Sequence, residues 1–328
     1  LGDDYRGFLG LASHEYFHSW NVKRIRPAAF VPYDLTREGY TRQLWAFEGI
    51  TSYYDDLALL RSGVIDAESY LELLGRTASA VLRTPGRRVQ SAADTSFDAW
   101  IKYYRPDENS PNAGVSYYAK GALVALALDL TLRRDGSSLD ALMRELWRRH
   151  GETGVGVPED GIARLASALA GRDLSGFFAA FVDGTDELPL AELLGSIGVT
   201  LSLRPSQGPK DRGGTRGSGD ATRTALGATW SAELRLQHVF AGGAAQAAGL
   251  AAGDTLVALD GFKASADQLD ACARDRRPGD RVAVHAFRRD ELFETTVELV
   301  PAPRDTAWLA FDAEATPDAI ARRESWLG

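Results

Sequence analysis

The sequence predicts a multi-domain chain, a mainly α-helical domain followed by a small β-rich one, and three observations carry that prediction. In the first two hundred positions apolar residues recur at intervals of three and four, as in Leu139, Leu142, Met143, Leu146 and Trp147, the period of helices with one buried face. Between Arg204 and Arg223 that period gives way to Pro, Gly, Ser, Arg and Asp, the composition of a loop or linker. From Leu226 onward the pattern shortens to alternating runs, Leu234-Arg-Leu-Gln-His-Val-Phe240, Thr255-Leu-Val-Ala-Leu259 and Arg281-Val-Ala-Val-His-Ala-Phe287, separated by Gly-rich or Pro-Gly turns, which is the signature of short strands. At 328 residues, 45% hydrophobic and 25% charged, the chain can bury a core in each part.

These shifts set the expected boundaries: a helical domain over 1–203, a flexible linker or loop over 204–224, a β-rich domain over 225–302 and a C-terminal tail over 303–328. A short helix from Pro317 to Trp326 is expected in that tail, able to dock on either domain. The longest apolar stretch, Gly121 to Leu132, is interrupted by Asp129 and too short to cross a bilayer, so it reads as a buried helix and no membrane span is expected. A single cysteine, Cys272, leaves no internal disulfide and reads as a small core residue. The net charge of −8, without a basic stripe interleaved with aromatics, argues against a nucleic-acid partner. The opening Leu-Gly-Asp-Asp-Tyr shows neither an initiator methionine nor a secretory pattern, and the chain reads as the C-terminal portion of something longer.

Chemistry concentrates in Leu11-Ala-Ser-His14-Glu15-Tyr-Phe-His18-Ser-Trp20. On a helix, histidines four apart stand one turn apart on the same face, so both imidazoles can reach one ion. Glu15 then lies beside the ion, placed to take a proton from water made more acidic by a metal such as zinc. A three-ligand zinc needs another donor, and the candidate is Glu48, an isolated carboxylate in Leu44-Trp-Ala-Phe-Glu48-Gly-Ile-Thr-Ser-Tyr-Tyr54. A carboxylate in so apolar a helix needs a cation or a proton; the bland alternative is an ion pair with Lys23, Arg24 or Arg26. In Val115-Ser-Tyr117-Tyr118-Ala-Lys120-Gly121 a tyrosine at the start of an apolar helix can aim its hydroxyl at a developing oxyanion. Tyr118 is the first choice for that role and Tyr117 the fallback.

On His14-Glu-Tyr-Phe-His-Ser-Trp-Asn-Val-Lys-Arg-Ile-Arg-Pro27, Leu44–Tyr54 and Val115–Gly121, the chain resembles the glycyl aminopeptidase family of gluzincin zinc metallopeptidases. That family joins a thermolysin-like catalytic domain to a PDZ domain. The resemblance implies Zn2+ bound by His14, His18 and Glu48, Glu15 as general base, and Tyr118, in Tyr-x-Lys-Gly, as oxyanion donor. Full members carry a β-rich region before the zinc helix, so the resemblance implies that an N-terminal part of the catalytic domain is missing here and that this fragment has weak or no activity. The run from His238 to Asp254, followed by a strand and Asp260-Gly261, resembles bacterial PDZ domains. Leu226, Gly227 and Ala228 are then the candidate loop for a peptide carboxylate.

The function expected from these readings is an aminopeptidase releasing small N-terminal residues, glycine or alanine, from peptide or protein substrates. The alternatives are an endopeptidase whose PDZ domain recruits substrates and a non-enzymatic peptide-binding scaffold. The compartment stays open between the bacterial cytoplasm and periplasm.

Overall fold

The computed structural model describes residues 2–328. Helices come first: α1 (Asp3–Phe17), α2 (Leu44–Phe47), α3 (Gly49–Arg61), α4 (Ala67–Leu82), α5 (Ala92–Phe97), α6 (Ser110–Ala113), α7 (Tyr117–Arg134), α8 (Leu139–Leu146), α9 (Gly161–Ala170), α10 (Ser175–Phe181) and α11 (Leu190–Gly195). Then follow β1 (Val199–Arg204), β2 (Thr224–Ala225), β3 (Ala228–Trp230), β4 (Leu236–Val239), α12 (Ala244–Ala247), β5 (Thr255–Leu259), β6 (Phe262–Lys263) and α13 (Ala266–Asp275). The chain closes with β7 (Arg281–Arg288), β8 (Glu291–Glu298), β9 (Val300–Pro301), β10 (Thr306–Phe311) and α14 (Pro317–Leu327).

The centre of the helical part is α7. Ser116 starts it by accepting the Ala119 N–H in its side chain, as an N-cap should, and every residue from Lys120 to Thr131 is buried. An apolar helix of this kind is stable in water only as a core element. By length and composition Ser110–Arg134 could cross a membrane, but 83% of its apolar window is buried inside the protein. Asp129 interrupts the run without penalty because its carboxylate accepts from the Tyr53 hydroxyl at 2.6 Å, the Leu139 N–H at 2.7 Å and the Arg133 guanidinium at 3.1 Å. Where α7 crosses the junction of α2 and α3, two glycines touch. A Cβ on Gly49 would stand 2.5 Å from the Gly121 Cα, and one on Gly121 would stand 2.5 Å from the Trp45 carbonyl oxygen.

Two hydrophobic clusters divide the interior. The first gathers the helices around α7; the second fills the β-rich part from residues such as Leu236, Leu256, Val284 and Val297. There the antiparallel sheet runs β6-β5-β7-β8, beside the pairs β3-β4 and β2-β9.

The C-terminal segment, expected as a tail whose short helix docks on one of the domains, packs into the first cluster. Thr306–Phe311 pairs antiparallel with β1, Val199 opposite Phe311 and Arg204 opposite Thr306. Trp326 is fully buried, with its indole N–H on the Tyr53 hydroxyl at 2.8 Å. The alternation Thr306-Ala-Trp-Leu-Ala-Phe311 supplies a strand, and an indole is too large an apolar group to leave in water. The segment between β1 and β2, irregular in backbone, is fastened by an Arg204–Asp211 ion pair and by the Gly214 N–H on the Ala307 carbonyl at 2.8 Å.

Candidate active site

Helix α1 lays His14 and His18 against α3, their rings edge to face with centroids 4.7 Å apart. Each ring has an acceptor at Nδ1: an Asp55 carboxylate oxygen 3.2 Å from His14, and the Asn21 carbonyl 2.8 Å from His18. With an acceptor at each Nδ1, the Nε2 atoms of both rings point at Glu48, whose Oε2 lies 3.3 Å from His14 Nε2 and 3.1 Å from His18 Nε2. The three donor atoms all lie within 4.8 Å of one another. Their side chains are only 12, 13 and 19% exposed.

Glu48 sits at the break between α2 and α3, and Asn21 holds that break. Its fully buried amide donates towards the carbonyls of Ala46 at 3.2 Å and Phe47 at 3.3 Å and the Thr51 hydroxyl at 3.1 Å. One residue therefore orients His18 through its backbone and Glu48's backbone through its side chain. Asp55 follows Glu48 by two helical turns and so shares its face of α3.

The electrostatics follow from these contacts. Burial lowers the His14 pKa, but hydrogen bonds and charges from Asp55 and Glu48 outweigh it and raise it to about 9. Burial raises the Glu48 pKa, and the two imidazoles more than reverse that. Burial dominates at Asp55 and pushes its carboxyl up, against the pull of His14.

A cleft of about 800 Å³ opens on these groups, lined also by Glu15, Lys23 and Tyr118. Glu15 is exposed there. The Tyr118 ring stands 6.2 Å from that of His14, and its hydroxyl is 3.0 Å from the Tyr104 hydroxyl, which also accepts from Tyr117 at 3.2 Å. Burial, the Tyr104 contact and the Glu48 charge all push the Tyr118 phenol up. Tyr117, in contrast, is buried in the helical core and packs on Tyr103.

His14, Glu15, His18, Glu48 and Tyr118 thus share one cleft. Leu226, Gly227 and Ala228 do not; they line a different cavity, between the two clusters. The alternative of a Glu48 pair with Lys23, Arg24 or Arg26 is not what the structure holds: Arg24 lies over the Trp147 ring and Arg26 over Tyr33, and among the described residues Glu48 meets only the two histidines. Sequence reasoning missed Asp55, Asn21 and Tyr104. The seven-residue step from Glu48 could have flagged Asp55; nothing local marks Tyr104.

Two imidazole nitrogens and one carboxylate are the donor set of a three-ligand catalytic metal centre. Each imidazole, moreover, is oriented from behind by an acceptor, as metal-binding histidines are. The residues fit a divalent metal.

The chain matches the M61 glycyl aminopeptidase family over residues 7–124, which hold all five cleft residues named above. It is similar over its full length to the crystal structure of an aminopeptidase N family protein from Idiomarina loihiensis, at 39% identity and a TM-score of 0.92. The chain spans 56% of that protein's length. A serine endoprotease from Yersinia pestis overlaps 25% of this chain and 30% of its own at 21% identity, with a TM-score of 0.23. A search of curated proteins finds no match.

Proposed function

We propose that this protein is a zinc-dependent aminopeptidase that releases small N-terminal residues. The observation that carries the reading is the convergence of His14 Nε2, His18 Nε2 and a Glu48 oxygen in a cleft, each histidine held by an acceptor behind it. Zinc held by these three would polarise the scissile carbonyl and acidify water. Glu15, beside the ligands, takes the proton of the attacking water and passes it to the departing amine. Tyr118 donates its hydroxyl to the oxyanion, oriented by Tyr104. In this reading 1–203 is a thermolysin-like gluzincin domain and 225–302 a PDZ-like domain whose Leu226, Gly227 and Ala228 face a peptide end.

The test is metal content by inductively coupled plasma mass spectrometry, wild type against His14→Ala, with hydrolysis of a glycyl chromogenic amide. One zinc per chain in the wild type and none in the variant is expected. Protein that neither carries zinc nor takes it up on addition would overturn the reading. Where hydrolysis is measurable, Tyr118→Phe should reduce kcat about 10²–10³-fold, and N-blocked peptides should remain intact.

A further inference from the structure

A second cavity, of about 1260 Å³, lies between the two hydrophobic clusters. Val81 of α4 and Leu123 of α7 wall it on the helical side; Leu226, Trp230 and Leu269 of α13 wall it on the other. It is larger than most small-molecule pockets, about 300–1,000 Å³, and has the room for several residues of peptide.

Lys120 of α7 lines this cavity and is 3% exposed. Its ammonium reaches only the Arg87 carbonyl, at 3.4 Å. Three of the arginines lining the cavity are matched, Arg87 and Arg88 with Glu187 and Arg83 with Asp305, while Arg304 donates to the Leu203 carbonyl. Among the described residues no carboxylate stands within ion-pair distance of Lys120; the charges of Glu187 and Asp186 act on it only from farther off. A buried ammonium in that position needs an anion. Across the cavity, the Thr229 hydroxyl is buried without a hydrogen-bond partner. Its strand, β3, has a ladder partner on one edge only, β4, and an unpaired strand edge is a template for another strand.

We infer that this cavity binds the C-terminal end of an apolar peptide, laid along β3, with the terminal carboxylate paired to Lys120 of the helical domain. The inference rests on the PDZ-like reading of 225–302 and goes beyond it. The site is composite: the β-rich domain supplies the strand edge and apolar wall, and the helical domain supplies the charge. Fatty carboxylates share the charge but cannot pair with a strand edge.

The probe is a set of fluorescein-labelled decapeptides whose last four residues are apolar, each as free acid and as C-terminal amide, read by anisotropy on the full chain. Wild type should bind at least one free acid about ten-fold or more tighter than its amide. Lys120→Met, which keeps the length and drops the charge, should bind both alike; it should melt no lower than wild type, since the charge it removes is unpaired. Leu269→Arg should weaken both forms by obstructing the apolar wall. A preference for the free acid that survives in Lys120→Met, while Leu269→Arg abolishes binding, would overturn the composite site and leave the PDZ-like groove standing. Wild type that binds none of the peptides, or binds dodecanoate in their place, would overturn both.

Discussion

Replacing Asn21 should damage stability and the proposed metal site together. Its carboxamide, 2% exposed, directs its two N–H donors at three oxygens in the turn that carries Glu48. Asn21→Ala leaves at least one buried carbonyl without its donor, about 1–3 kcal/mol, and a void of carboxamide size, on the order of 1 kcal/mol. The sum, about 2–4 kcal/mol, corresponds to a fall in Tm of roughly 5–15 °C for a unit of this size. Asn21→Asp keeps the shape but turns a carboxylate toward three acceptors, so it should cost more than alanine. That ordering separates a donor role from space filling. Melting curves followed by zinc competition against a chromophoric chelator would measure both effects. An aspartate variant as stable as wild type, or an alanine variant with unchanged Tm and zinc affinity, would refute the reasoning.

Asp55→Ala should weaken zinc about 10–100-fold by releasing His14, and Asp55→Asn, which keeps an acceptor, should weaken it less; the same competition assay measures both. Trp326→Ala should destabilise the chain by about 3–5 kcal/mol in urea unfolding, since the indole is fully buried and bonded to Tyr53; a small change would mean that α14 is dispensable. At Asp56, burial and the Asp55 charge push the carboxyl up from 3.8 to about 7. The folded state therefore holds that proton more tightly, and stability falls as pH rises from about 4 to about 7. Asp56→Asn should melt higher than wild type at about pH 8, an advantage that shrinks toward about pH 4; a gap independent of pH would remove Asp56 from the account.

What was legible in the sequence was what local geometry determines. The pairing of His14 with His18 follows from a four-residue step on one helix, and Glu48 stands out because it is a lone carboxylate amid Leu44, Trp45, Ala46, Phe47 and Ile50. The choice between Tyr117 and Tyr118 is a matter of which face of α7 turns to the core, which an all-apolar helix does not reveal by its period. Asn21 was illegible because its role lies in contacts with Ala46, Phe47 and Thr51, far along the chain. Residues 303–328 read as a tail because the partner of β10 is β1, about a hundred residues earlier, and no local pattern encodes such a pairing.

That same pairing bears on the cavity between the clusters. The chain leaves the helical unit at β1, builds the β-rich unit, and returns at β10 to lie antiparallel to β1. The outgoing and returning segments touch, the Ala302 N–H on the Arg223 carbonyl at 3.0 Å. A unit held at both ends has less orientational freedom than one on a single linker, so less entropy is lost in keeping it against the helical unit. Asn112 adds a contact there, with its side chain on Val239 and Ala241 of the β-rich unit, each at 2.8 Å. The wall that carries Lys120 and the wall that carries β3 therefore face each other by construction of the chain, before any ligand enters. Cutting the return segment between β9 and β10 should abolish the difference between free-acid and amide peptides while leaving His14, His18 and Glu48 in place, because the first depends on the register of two units and the second on the helices of one.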